Sequence, residues 1–129
     1  MADRYALIGN PVAHSLSPWI HEAFARATGQ DLHYGRIEAP LDGFSRAVDA
    51  FRSAGGKGLN VTIPFKEQAF AYCEKASERA RVALAANTLA FGEQCCADNT
   101  DGIGLVRDLA FLGPQHHDDA VDRCLELRL

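Results

Sequence analysis

Gly58-Leu59-Asn60-Val61-Thr62-Ile63-Pro64-Phe65-Lys66-Glu67 is the stretch around which the chain is organised. A short apolar run leaves a glycine-rich turn at Gly55-Gly56 and ends in a hydroxyl, a proline and a lysine. Proline suits the first position of a helix, where its missing N–H costs nothing. The stretch therefore reads as strand, sharp turn and helix, with the helix starting at Pro64. In an open α/β sheet, ligands bind beyond the carboxyl ends of the strands. An amide, a hydroxyl and an amine gathered there, from Asn60, Thr62 and Lys66, can hold an anionic, hydroxylated small molecule. A plain strand-to-helix turn with a solvated lysine is the competing reading.

Upstream, Tyr5-Ala6-Leu7-Ile8-Gly9 is an apolar run closed by Asn10-Pro11, a buried strand ending in a turn. Ser17-Pro18 then opens a helix, with the Ser17 hydroxyl at the N-cap and proline at the first helical position. That helix runs to about Thr28, where Gly29 stops it, and Ile20, Phe24 and Ala27 form its expected buried stripe. Leu32 to Ile37 reads as a second strand. Phe44 to Ala54 reads as a second helix with Phe44, Val48 and Phe51 inward.

Downstream of Lys66, a third helix reaches Cys73 and Ser77-Glu78-Arg79-Ala80 starts a short fourth. Ala85 to Phe91 is strand-like, and Cys95-Cys96-Ala97 returns beside it as a paired strand. Asn99-Thr100-Asp101-Gly102 opens a last helix with Ile103, Val106, Leu109 and Ala110 on its apolar face, ending near Leu112. Strands alternating with helices predict a three-layer α-β-α architecture around a mostly parallel, twisted sheet. Candidate ligand residues fall after the first strand, after the central strand, at Asn87 and before the last helix, which suits a crevice at the sheet's carboxyl edge.

Composition narrows the function. The 129 residues are 47% hydrophobic and 23% charged, ordinary for one soluble domain. A net charge of -4 argues against a general nucleic-acid binder. No apolar run approaches the roughly 20 residues of a membrane span. The first residues lack the layout of a signal peptide, so a cytoplasmic location is expected. Cys73, Cys95, Cys96 and Cys124 form no Cys-x-x-Cys pair and are read as reduced structural thiols, with Cys95 and Cys96 facing opposite sides of a strand. His14 and His21 have no metal spacing and are assigned surface or packing roles; no metal site is expected.

Four motifs occur in order: Gly9-Asn10-Pro11-Val12-Ala13-His14-Ser15-Leu16-Ser17-Pro18, Asn60-Val61-Thr62-Ile63-Pro64-Phe65-Lys66, Ala86-Asn87-Thr88 and Asn99-Thr100-Asp101-Gly102. Together they resemble the N-terminal, substrate-binding domain of shikimate dehydrogenase, over about residues 4 to 113. The resemblance implies NADPH-dependent reduction of 3-dehydroshikimate to shikimate, in the pathway to aromatic amino acids. It implies that Ser15 and Ser17 bind the substrate carboxylate with help from Thr62. Lys66 and Asp101 would be the catalytic pair, Asn87 would hold ring hydroxyls, and Asn60 would line the same pocket. Glu78 falls near an acidic position that faces the cofactor. The chemistry suits these residue types: hydride transfer to a ketone builds negative charge on oxygen, which a lysine ammonium stabilises and protonates. Ser17 and Asp101 also suit helix caps, and capping and anion binding can coexist at one helix start.

The chain departs from the family pattern. It contains no Gly-x-Gly-x-x-Gly, so the NADP-binding domain is expected to be absent, leaving residues 1–113 as the substrate-binding domain and 114–129 as an atypical tail. Half a cleft predicts weak binding and no turnover by this chain alone. Leu84 stands where the family usually has glycine and is expected to shift the loop presenting Asn87. Expected partners are shikimate or 3-dehydroshikimate, with no nucleic acid and no membrane; a separate cofactor-binding chain or a homodimer stays open. The competing functions are a quinate/shikimate dehydrogenase relative using NAD, and a non-catalytic shikimate-binding module.

Overall fold

A computed structural model describes residues 1–112; the tail from 114, with His116-His117-Asp118-Asp119 and Cys124, lies outside the described residues. The elements are β1 (Asp3–Gly9), α1 (Ser17–Thr28), β2 (Leu32–Glu38), α2 (Phe44–Ser53), β3 (Gly56–Val61), α3 (Lys66–Tyr72), β4 (Lys75–Ala76), α4 (Glu78–Ala83), β5 (Thr88–Phe91), β6 (Cys95–Asp98) and α5 (Asp101–Leu112). The chain divides into two units, Met1–Asn99 and the residues from Thr100 onward. Among the described residues no helix is long and apolar enough to cross a membrane.

The first unit is built on a six-stranded sheet in the order β2-β1-β3-β5-β6-β4. β1 pairs parallel with β2 and with β3, while β5 runs antiparallel to both β3 and β6. The expected layered α/β arrangement therefore holds, with an antiparallel section where the short strands follow one another closely. Two faces separate cleanly by the period-2 alternation of strands. Ala6, Ile8, Leu59, Val61, Leu89, Cys95 and Ala97 point to one side, where Phe44, Val48, Phe51, Phe65 and Ala69 from α2, α3 and the turn before α3 complete the main core. The register aligns these positions, with Ala6 opposite Leu59, Ile8 opposite Val61 and Leu59 opposite Leu89. Leu7, Val12 and Tyr34 form a smaller cluster. There α1 covers β2 and β1, with the His21 ring stacked on Tyr34 at 4.2 Å.

Several local expectations are corrected. The Ile63–Pro64 peptide is cis, a tight turn is closed by Phe65 N–H donating to the Thr62 carbonyl at 3.1 Å, and α3 starts at Lys66. Pro64 is thus a turn residue and not the first residue of the helix. In α1 the buried residues are Pro18 and Ala25, whereas Phe24 is 61% exposed and Ile20 36% exposed. The helical period is right but its phase is rotated by one residue, because the row Pro18, His21, Ala25 meets the sheet. In α5 no residue is buried, although Ile103 and Leu109 are half-buried.

Cys73 and Cys95 are joined by a disulfide, not left as thiols; their Cα atoms are 4.9 Å apart, within the range a disulfide spans. The reason is tertiary: Cys73 follows α3 and Cys95 begins β6, and α3 packs against that strand. Cys96 is exposed, as the alternation requires.

Candidate active site

The polar residues converge where β1, β3 and β5 meet their loops. β1 ends at Gly9, and a Cβ there would lie 2.4 Å from Thr62 Cγ2 and 3.0 Å from the Ile63 carbonyl oxygen. Only glycine lets the turn after β3 close over the end of β1. Backbone bonds lock the two together: Thr62 N–H donates to the Ile8 carbonyl at 2.9 Å and Asn10 N–H to the Ile63 carbonyl at 3.0 Å. The Asn10 amide reaches the Ala39 carbonyl at 2.9 Å, tying the same turn to the end of β2.

The serine loop is held at its own end. Ser15 N–H donates to the Val12 carbonyl, and Arg36 donates to the Ser15 carbonyl at 2.6 Å. The expected capping by Ser17 is not made: the N-cap position of α1 is Leu16, which has no side-chain cap bond. Ser15 Oγ accepts from Ser17 N–H at 3.2 Å, while Ser17 is already helical and makes no side-chain cap. The two serines therefore lie side by side at the start of α1, half-buried. One turn on, His21 Nδ1 is 2.9 Å from the Ser17 carbonyl; that geometry makes it the donor, and the ring stacks on Tyr34.

Tyr34 connects this loop to the central strand. Its hydroxyl donates to Asn60 Oδ1 at 2.8 Å. Asn60 Nδ2 reaches Thr88 Oγ1 at 3.4 Å across the β3–β5 ladder, where the two residues are register partners. Thr88 Oγ1 in turn donates to Asn87 Oδ1 at 3.0 Å. Tyr34 is 4% exposed, and burial pushes its phenol up to about 12, so it stays a donor throughout the physiological range.

Lys66 joins from the other side. Its carbonyl accepts from Ala86 N–H at 2.8 Å, which fastens the start of α3 to the residue before Asn87. The Asn87 carbonyl accepts from Val61 N–H at 2.7 Å, and Asn87 N–H donates to the Asp98 carbonyl at 3.1 Å. Asp98 is itself pinned. Arg79 donates to it through Nε and Nη2, and Ser77 Oγ and Asn99 N–H add bonds of 2.6 and 2.8 Å. The Arg79 guanidinium, then the Ser77 hydroxyl, hold its carboxyl down to about 2. Ser77 also caps α4 by accepting from Ala80 N–H, as its position in the sequence predicts.

Leu84 ends α4 in the left-handed conformation, φ 53° and ψ 30°, a geometry glycine adopts without penalty. Ser15, Ser17, Asn60, Asn87 and Lys66 are thus linked through a continuous set of bonds and ring contacts, and Thr62 sits on the adjoining turn. Glu78 stands apart as an exposed side chain in the first turn of α4. Asp101 opens α5, in the second unit. Reading the sequence for ligand types passed over Tyr34, Thr88 and Asp98, while His21, assigned a surface or packing role, packs on the Tyr34 ring. Tyr34 carried no signal beyond an aromatic in a strand. The pairing of Asn60 with Thr88 depends on a register the sequence does not state.

Comparisons with known proteins agree with this architecture. A family model described as the shikimate dehydrogenase substrate binding domain matches residues 7–89. The NADP(+) shikimate dehydrogenase of Chromobacterium violaceum is 57% identical over 110 residues, which is 84% of this chain and 40% of that protein. An Ael1 enzyme from Pseudomonas putida superposes with a TM-score of 0.81 at 54% identity, over 83% of this chain and 40% of that one. The shikimate 5-dehydrogenase of Listeria monocytogenes, solved with shikimate and NAD, gives a TM-score of 0.82 at 31% identity, over 87% and 39% of the two chains. The chain thus spans about 40% of the length of the curated relatives it matches. On the match over residues 7–89, the chain belongs to the shikimate dehydrogenase substrate-binding domain family.

Proposed function

We propose that this chain supplies the substrate-binding and proton-donating half of an oxidoreductase that interconverts 3-dehydroshikimate and shikimate. In this reading Ser15 and Ser17, with Thr62, grip the substrate carboxylate. Asn60 and Asn87 hold ring hydroxyls. Lys66 donates the proton to the oxygen of the ketone as hydride arrives at carbon, and Asp101 is the other member of the catalytic pair that the resemblance implies. The observation that carries the reading is the bonded path from the serine loop through Tyr34, Asn60 and Thr88 to Asn87, with the Lys66 carbonyl fastened next door at Ala86. A path of this kind fixes several ligand groups on rigid strand ends, the condition for holding a small polar molecule in one orientation.

The family's nicotinamide needs a phosphate cradle and a surface for its ring. Among the described residues none fits: Glu78 is an exposed side chain on a six-residue helix, and no glycine-rich turn opens a helix. Glu78 as a cofactor contact rests on the resemblance alone. The domain limits of 1–113, with a separate tail, belong to the same proposal.

The test is a chimera in which residues 1–112 replace the matching segment of the Chromobacterium violaceum relative. The chimera should reduce 3-dehydroshikimate. Lys66→Ala in it should lower kcat by about a hundredfold or more, the usual scale for losing a general acid, with little change in KM. A rise in KM at unchanged kcat would reduce Lys66 to a binding residue.

A further inference from the structure

The serine loop is tied to the sheet by a cation. Arg36 lies in β2 opposite Leu7 of β1 and two residues from Tyr34, so it shares the strand face on which His21 of α1 stacks. Its Nη2 donates to the Ser15 carbonyl at 2.6 Å, in the short range of a charge-assisted bond. That carbonyl sits just outside α1, where Leu16 is already accepting from Ile20 N–H. With Ser15 N–H on the Val12 carbonyl, both backbone groups of Ser15 are spent on the protein. The hydroxyls are not. Ser15 Oγ accepts from Ser17 N–H and keeps its own proton, and neither serine hydroxyl donates to a described residue. A guanidinium stays charged at any working pH. Arg36 makes no ion pair among the described residues, in a chain whose net charge is -4, so no neighbouring carboxylate cancels it.

We propose that Arg36 is a positioning residue that sets specificity: it clamps the Ser15 carbonyl and gives the serine loop the positive charge that makes it select a carboxylate over an uncharged group of the same shape. This inference rests on the proposed function for the identity of the ligand, the acid group of shikimate or 3-dehydroshikimate. It goes beyond that reading, in which the acid is gripped by Ser15, Ser17 and Thr62. Those three are neutral hydroxyls and donate to an ester or an amide as well as to an acid. A cation fixed on the backbone behind them favours the charged ligand. It also covers the Ser15 carbonyl oxygen, whose negative end would otherwise repel an anion held at the same residue.

Two measurements on this chain test the proposal separately from the function. In the ligand-free protein, Arg36→Met should shift the backbone amide resonances of Leu16, whose nitrogen shares a peptide plane with the Ser15 carbonyl, and of Ser17. Arg36→Lys, which keeps a cationic donor, should return them toward their unaltered positions. Leu16 and Ser17 resonances that stay put in Arg36→Met overturn the clamp, whatever shikimate does. The second measurement titrates shikimate and its methyl ester. Both can accept from the serine hydroxyls, so a loss common to the two reports the loop and the difference reports the charge. In Arg36→Met shikimate should lose about two- to fivefold more affinity than the ester, the scale of one exposed charge pair. That excess should fade in high salt, which screens a charge, and should be largely absent in Arg36→Lys. Equal loss for acid and ester would make Arg36 a merely structural residue and overturn the proposal. Binding of neither ligand by the unaltered chain would sink the functional reading and the acid selection with it, while the Leu16 and Ser17 resonances still decide the clamp.

Discussion

Replacing Asp98 by asparagine should cost stability at neutral pH and cost almost nothing in acid. Asp98 accepts from Arg79 twice, from Ser77 at 2.6 Å and from Asn99 N–H at 2.8 Å. These partners lower its carboxyl from 3.8 to about 2. A shift of that size corresponds to roughly 2.4 kcal/mol at 1.36 kcal/mol per pH unit. The Asp98 side chain is 32% exposed and that of Arg79 45%, so solvent screens the pair. A net contribution of about 1 kcal/mol is the reasonable expectation for such an exposed pair. The folded-state value is the lower one, so the contribution is complete above the unfolded value near 4 and is lost as pH falls toward 2. Urea unfolding of the chain and of Asp98→Asn at pH 7, 5, 4 and 3 measures it. The gap between the two proteins should be about 1 kcal/mol at pH 7 and 5 and should shrink below pH 4. A gap that stays constant from pH 7 to 3, or is absent throughout, refutes the claim that ionised Asp98 clamps β6 to α4.

Two other outcomes follow from single positions. Leu84→Gly should stabilise the chain by about 0.5–1 kcal/mol. Relief of a left-handed leucine, about 1–2 kcal/mol, outweighs the extra freedom glycine has when unfolded. Thermal unfolding should show it as a rise of a few degrees; a fall would mean the Leu84 side chain contributes more than its 64% exposure suggests. Cys73 and Cys95 close a loop with a sequence separation of 22, worth about 3 kcal/mol by chain entropy. Non-reducing peptide maps should recover that pair cross-linked, and Cys73→Ser should unfold at lower urea unless reductant is present.

The legible part of the fold was the part fixed by local pattern. Phe44, Val48 and Phe51 share one face of α2 because the helical period puts them there, and all three are buried. Ser77 caps α4 because a hydroxyl followed by good helix formers has few other uses. What stayed hidden depended on distant neighbours. The phase of α1 is set by which row fits beside Tyr34, and the strip read as buried, Ile20 and Phe24, lies on the outer side. The disulfide depends on α3 ending beside the start of β6. Motif order singled out Ser15, Ser17, Asn60, Thr62, Lys66, Asn87 and Asp101 as candidates, of which the first six lie in the first unit. The connectors Tyr34, His21 and Thr88 needed the register between β3 and β5 and the stacking of α1 on β2.

The central claim is that the serine loop, the end of β3 and Asn87 form one shikimate-binding surface. Titrating isotopically labelled chain with shikimate while following backbone and side-chain amide resonances tests it most directly. The account predicts saturable shifts at Ser15, Ser17, Asn60, Thr62, Lys66 and Asn87, with millimolar affinity. Shifts confined to residues outside that set, or none at tens of millimolar shikimate, would contradict it.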